Sequence, residues 1–440
     1  MNNNGDLMNN ISRICSSSRG AVSSADYLYI VLPAFILKWA ELQEKENGFA
    51  AYKEIYAPAR LSVTYGTADR ASDVMEYLFS IENECSSRVY GGYIRELSRY
   101  LEMLPVKDFA DILGNVSKME ITSSDEIYAF AKVFLLLGFK GYGKSPYSLS
   151  CTGTRQIEKI ALGDVSDSNT VFDGFAGTGV SAFDSTKGHG VYTFNELSAH
   201  MACITEMMCI LKGINAKIYV TDSFFNDNNE RLYDVITSEP PFALKGLEYR
   251  DLNLPYYDSD MDNMCLKYLA SKLNSTGKGI VLCPAGILFR GGRSMDGRIE
   301  LCNSYIETVI QLPSGAVTGT QVQTAIIVLN KQRRGNDILF VDASTMLKTF
   351  ERNKVDLVLG SDNEDLLKGI LTNRKDVDGI SKVVAIEDIA KKEYSLVVTQ
   401  YIENDSDKVQ RVDIEPLLIN DKRLKERLYD IDEELDKLRS

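Results

Sequence analysis

Through about residue 142 the apolar positions recur at helical spacing, which predicts helices near Ala25–Asn47, Ala68–Leu104 and Glu126–Phe139 and no convincing strand alternation. Ser123, followed three residues later by Glu126, makes a capping box ahead of the apolar Ala129–Leu137 stretch. From Gly141 to Thr154 the periodicity stops, and GYGKSPYSLSCTGT reads as a linker rich in Gly and Ser. Beyond it the pattern changes to short β-branched runs at Thr170–Phe172, Val191–Phe194, Lys217–Val220, Val235–Thr237, Gly279–Cys283, Thr308–Leu312, Ala325–Asn330 and Ile338–Val341, separated by helical stretches. Such alternation predicts an α/β fold built on a mainly parallel, doubly wound sheet. The last three runs leave no room for a long helix, so they are expected to form an antiparallel hairpin at the sheet edge. Near the C-terminus Leu424, Leu428, Ile431, Leu435 and Leu438 follow spacings of 4, 3, 4 and 3 among charged residues, a heptad seam. At about two heptads it is too short to stand alone and needs a surface to pack on.

Composition narrows the picture without fixing it. With 440 residues, 44% hydrophobic and 25% charged, the chain is long enough for two or three domains with real cores. Its longest apolar stretch, Tyr27–Leu37, is interrupted by Pro33, so a membrane span is not expected. The N-terminus MNNNGDLMNN lacks the basic-then-apolar layout of a signal peptide, so the chain is expected to stay in the cytoplasm. The eight cysteines are scattered and never form CxxC, so they are expected to act as buried apolar residues. Two histidines, His189 and His200, are too few for a zinc site or a histidine relay, and no metal is expected. A net charge of -13 argues against a stand-alone nucleic-acid binder.

Four strand ends carry the chemistry. Asp173-Gly-Phe-Ala-Gly-Thr-Gly179 sets an acidic residue and a glycine-rich turn between a strand and a helix, where a doubly wound sheet holds a nucleotide-like cofactor. Glu196, 23 positions after Asp173, ends the next strand, where a carboxylate can accept both ribose hydroxyl hydrogens. Asp222-Ser223 ends the third strand and offers an acceptor for an adenine amino group. The run Ser238-Glu-Pro-Pro-Phe242 then leaves a buried strand through a rigid turn. A hydride-transfer enzyme has no use for such a turn. For methylation of an amino group it is central: an acceptor at Glu239 and the carbonyl of Pro240 hold the two amino hydrogens, and Phe242 stacks on the base. Between Lys245 and Asp258, Lys245, Tyr249, Arg250, Tyr256 and Tyr257 are candidates for tracking a strand, and Arg290, Arg293 and Arg298 for phosphate contact.

From about Cys151 to Tyr401 the sequence resembles the modification subunits of type I restriction-modification systems, adenine-N6 DNA methyltransferases. Phe172–Gly179 is similar to that family's cofactor loop, Ile280–Arg290 to its strand and loop after the catalytic turn, and Ile306–Pro313 with Thr318–Lys331 to its closing hairpin. The resemblance implies a helical N-terminal domain (1–145), a Rossmann-like S-adenosylmethionine-dependent methyltransferase domain (146–401) and a tail (402–440) whose helix docks a partner. It implies cofactor contacts at Asp173, Phe175, Gly177, Thr178, Glu196, Asp222 and Ser223, and a catalytic turn of Glu239, Pro240, Pro241 and Phe242. It also implies duplex DNA as substrate, a DNA-specificity subunit that reads the sequence, and a restriction subunit as a further partner. Two positions depart from the family pattern: Glu239 stands where the family has Asn, and Gly153-Thr154 replaces its Thr-Pro. An ionised Glu still accepts an amino hydrogen, but it is one methylene longer, and about 1 Å of misplacement can cost on the order of a hundredfold in rate. The alternatives are a catalytically silent scaffold of the same fold and, more weakly, a dinucleotide-dependent oxidoreductase.

Overall fold

The computed structural model describes residues 3–17, 26–65, 70–85, 91–137, 149–225, 231–242, 244, 247–252, 254–318, 320–333, 335–349 and 356–402. The N-terminal part is helical: α1 (Asn3–Ser17), α2 (Leu28–Asn47), α3 (Pro58–Thr64), α4 (Arg70–Glu84), α5 (Ser98–Met103), α6 (Val106–Ser117) and α7 (Ser124–Leu137). Apolar residues surround α2 on every side, so Leu28–Ala40 is buried throughout and the helix runs through Pro33. The capping box at Ser123 forms with a shift of one residue. Ser123 Oγ accepts from the Glu126 amide at 3.3 Å, and the Glu126 carboxylate reaches back to the Thr122 amide at 2.6 Å. The single helix expected over 68–104 is instead split, because Gly91-Gly92 separates α4 from a 3-10 turn at Ile94–Leu97 that leads into α5. The sequence reading passed over α6, although Phe109, Ile112, Leu113 and Val116 bury one clean face of it.

Residues expected to be linker already belong to the second part. Cys151 caps α8 (Thr152–Leu162), its sulfur accepting from the Thr154 amide at 3.4 Å. The sheet then comprises β1 (Thr170–Asp173), β2 (Val191–Glu196), β3 (Ala216–Val220), β4 (Tyr233–Ser238), β5 (Leu273–Pro284), β6 (Ile306–Gln311), β7 (Thr324–Asn330), β8 (Asp337–Asp342) and, after the small β9 (Leu347–Thr349) and β10 (Leu357–Leu359) hairpin, β11 (Ser381–Ala385). The intervening helices are α9 (Val180–Ser185), α10 (Ala199–Lys212), α11 (Met261–Ser271), α12 (Arg293–Ser304), α13 (Ser361–Asn373) and α14 (Ile386–Ala390). Strand order is β11-β8-β6-β7-β5-β4-β1-β2-β3, parallel from β5 to β3. The expected hairpin of β6 and β7 exists, but it is interior: β7 is wedged antiparallel between β5 and β6, β8 lies parallel outside β6, and β11 is the edge. The reason is burial on both faces. Thr324–Leu329 is buried at every position, as a central strand must be, whereas β11 alternates toward solvent.

Two apolar layers cover the sheet. On one face the core runs without a break from Ile218 and Phe194 through α10 into α2, α4 and α7, so the helical part and the sheet share one interior. The other face packs on α11 and α12. At the seam of the two parts, the fully buried Glu206 of α10 accepts the amides of Gly92 (2.6 Å), Tyr93 (2.7 Å) and Ile94 (2.9 Å). Glu82 shares a hydrogen bond with it, and burial, together with the Glu206 charge, pushes the Glu82 carboxyl up to about 7. No helix among the described residues is long and apolar enough to cross a membrane.

Candidate active site

Strand β1 lies between β2 and β4, where the winding reverses, so the loops after β1, β2, β3 and β4 open into one crevice. Asp173 ends β1 but turns inward. Its Oδ1 accepts the Phe175 amide at 2.9 Å and the Ser238 hydroxyl at 2.5 Å, which braces the glycine loop against the end of β4. Burial outweighs those two bonds and raises the carboxyl to about 7. Gly177 and Gly179 take φ of 55° and 74°, the left-handed region, and a Cβ on Gly179 would lie 2.8 Å from the Phe183 ring. The loop is laced to its neighbours: the Ala176 amide donates to the Asn195 carbonyl at 3.0 Å, and the Ser223 hydroxyl to the Gly174 carbonyl at 2.6 Å. Glu196 is locked by the amides of Gly177 and Ser198, both at 2.9 Å, one on each oxygen. Each oxygen keeps a lone pair for a ligand donor.

These strand ends enclose a cavity of about 400 Å³. Phe175, Gly177, Thr178, Glu196, Asp222, Ser223, Glu239 and Pro241 line it, as does Gly174. Asp173, Pro240 and Phe242 do not: Asp173 stands behind the loop, Pro240 is buried in the turn, and Phe242 is half-buried against the larger core. Residues that the sequence reading missed complete the wall, among them Leu197, Met201, Phe224 and Leu244. Among the described residues, the charged side chains on the wall are Glu196, Asp222 and Glu239, with no Lys or Arg beside them. Tyr249 was expected to track a nucleic-acid strand. It is buried instead, donating its hydroxyl to Asp222 Oδ2 at 2.9 Å, and Tyr256 packs on Tyr268 at 5.1 Å between centroids. The second oxygen of Asp222 accepts the Phe224 amide at 2.8 Å.

On the turn after β4, Glu239 Oε1 is buried and has no hydrogen-bond partner among the described residues. A buried acceptor left unpaired costs about 1–3 kcal/mol, which marks it as a place for a donor. Its electrostatic neighbours come from α8. Arg155, which donates to Asp184 at 2.8 Å, feels the Glu239 charge, and burial followed by that charge pushes the Glu158 carboxyl well up. Neither α8 residue was singled out from the sequence, since both fell just beyond the apparent linker. Of the expected arginine cluster, Arg293 is exposed and the other two are used internally. Arg290 pairs with Asp260 (2.6 Å) and Asp262, and the buried Arg298 donates to the carbonyls of Tyr394 and Arg290.

Residues 164–409, more than half of the chain, match the model of the family described as N-6 DNA Methylase. The chain belongs to this family. A relative named type I restriction enzyme MpnII methylase subunit, from Mycoplasma pneumoniae, is 27% identical over 207 residues, covering 44% of this chain and 37% of the relative. The MjaVIII methylase subunit of Methanocaldococcus jannaschii is 29% identical over 268 residues, 54% of this chain and 46% of the relative. The chain spans less than half the length of the curated relatives it matches. Among solved structures, the methyltransferase subunit of a type I restriction-modification system from Streptococcus thermophilus superposes with a TM-score of 0.72 at 17% identity, covering 91% of this chain and all of the other. A modification subunit of a type I restriction enzyme from Vibrio vulnificus superposes at 0.65 with 16% identity, covering 88% and 93%. N-6 DNA Methylase membership thus agrees with a Rossmann-like fold in which the helical part and the sheet are both shared with these structures.

Proposed function

We propose that the chain is the methyl-transferring subunit of a type I-like restriction-modification assembly, acting on N6 of an adenine turned out of duplex DNA. The observation that carries this reading is the buried Glu239 Oε1, without a hydrogen-bond partner among the described residues, on the wall of the cavity enclosed by the glycine loop, Glu196 and Asp222. S-adenosylmethionine, when bound, supplies a sulfonium methyl group. The residues suit it: Glu196 faces ribose hydroxyls, Asp222 an adenine amino group, Phe175 and Phe224 the ring, and three wall carboxylates favour a cation. The same three carboxylates would repel the pyrophosphate of a dinucleotide, which weighs against the oxidoreductase alternative.

An adenine amino group brings two N–H donors. Glu239 accepts one and the Pro240 carbonyl the other, leaving the nitrogen lone pair directed at the methyl group. A nitrogen that gains a methyl group must lose a proton, and the Glu239 carboxylate would take it, a role that an amide at that position does not fill. DNA affinity comes from a partner that reads the sequence, because the wall of the site is acidic. Docking of that specificity subunit through Leu424–Leu438 concerns a segment outside the described residues. Calorimetry tests the cofactor reading. S-adenosylmethionine should bind the natural chain and bind Glu196→Ala at least about tenfold more weakly, while NADH should not bind; no heat with S-adenosylmethionine would refute it. The silent-scaffold alternative turns on Glu239 alone.

A further inference from the structure

A second cavity, of about 380 Å³, lies where α7 of the helical part meets α8, α9 and the end of α10. Its wall carries Lys132, Arg155, Lys159, Lys187 and Lys212 against Asp125 and Asp184, five cations and two carboxylates, a local charge of +3 on a chain of -13. Part of this charge is fixed in place. Asp184 holds Lys132 at 2.9 Å and Arg155 at 2.8 Å, and although burial opposes ionisation, these two cations keep its carboxyl below the ordinary range. Lys132 and Lys212 also stand over the Tyr128 ring, 4.8 and 5.3 Å from its centroid. The remainder is little neutralised. Lys212 meets an Asp125 whose side chain is 81% exposed, Lys187 reaches only the fully exposed Asp164 at 3.4 Å, and Lys159 has no ion-pair partner among the described residues.

We infer that this cavity binds a compact oligophosphate anion, supplied either as an inorganic polyphosphate or as the phosphate chain of a nucleotide. The cations converge on one concavity from three helices, α7, α8 and α10, and the loop that follows α9; a nucleic-acid backbone calls for a stripe along a surface. A charge of +3 exceeds what a single phosphate neutralises and matches a chain of two or three. Arg155 provides a planar guanidinium fixed by Asp184, and the lysines provide point charges around it. The site is separate from the acidic cavity described above: α9 begins at the glycine loop with Val180 and reaches this second wall at Asp184. An anion that fits here is repelled there, so the inference does not depend on the methyltransferase reading.

The test is calorimetry on the full chain at low ionic strength with sodium tripolyphosphate, ATP and adenosine. Tripolyphosphate and ATP should bind and adenosine should not; ATP binding about tenfold tighter than tripolyphosphate identifies a nucleotide, and equal binding identifies the phosphate chain alone. The double variant Lys159→Glu with Lys187→Gln should weaken both by about tenfold or more. Lys391→Glu, an exposed control on α14's far end, should change nothing. No binding by the natural chain, or equal binding by the double variant, overturns the proposal. So does a double variant that loses duplex-DNA affinity while keeping tripolyphosphate binding.

Discussion

Replacing Glu206 by Ala removes the carboxylate that closes the seam between the helical part and the sheet. Three amides, those of Gly92, Tyr93 and Ile94, donate to it over 2.6–2.9 Å, and the side chain is fully buried. Each orphaned amide costs about 1–3 kcal/mol, and relief of the buried carboxylate's desolvation, with water entering the space, returns part of the sum. A net loss of about 3–5 kcal/mol is expected in urea denaturation, with collapse of hydrogen-exchange protection at those amides. Glu206→Gln keeps one acceptor and should lose about 1–2 kcal/mol. Gly91→Ala should resemble the Ala variant, because its Cβ would lie 2.4 Å from Glu206 Oε1. The seam is also sensitive to pH. Glu82 titrates near 7 when folded against an ordinary 4.5, so the folded chain binds more protons between these values. Its contribution is therefore full below about 4.5 and lost as pH rises through 7, with a ceiling on the order of 3 kcal/mol, lowered by solvent at its partly exposed edge. Glu82→Gln should flatten that slope. A loss below about 1 kcal/mol for Glu206→Ala, with protection of the three amides unchanged, would refute the reasoning.

Gly179→Ala places a Cβ against the Phe183 ring at a φ of 74°, and should cost about 1–3 kcal/mol in thermal unfolding while weakening S-adenosylmethionine binding. Tyr249→Phe removes the hydroxyl that competes for Asp222 Oδ2 and should tighten cofactor binding about threefold in calorimetry; weaker binding would make that hydroxyl a cofactor ligand instead.

All eight runs from Thr170 to Val341 fall on strands: seven lie inside the sheet, where burial on both faces keeps a strand apolar, and the eighth is the edge strand β3, whose Tyr219 and Val220 are exposed. The three-residue β9 and β10 and the partly exposed β11 are not among those runs, being too short or too open to stand out. Nor does a run state its partner: the interior place of β7 follows from pairing with β5 across some forty residues of chain, which no local pattern encodes. The candidate site divides the same way. Its strand-end motifs are local combinations of Gly, Pro and carboxylates, and most of them meet on one cavity wall. Asp173 has the same local signature, yet Ser238, 65 positions on, holds it away from that wall. Tyr249 and Arg155 work through partners 27 and 29 positions away, and Glu206 through amides up to 114 positions away, distances at which spacing carries no information.

Methyl transfer itself is the most direct measurement. With its specificity partner, duplex DNA and labelled S-adenosylmethionine, the natural chain should place label on adenine N6, and Glu239→Gln should be slower by at least about a hundredfold. Label transferred by Glu239→Asn and not by the natural chain, at equal cofactor binding, would contradict the account and leave the protein a silent scaffold.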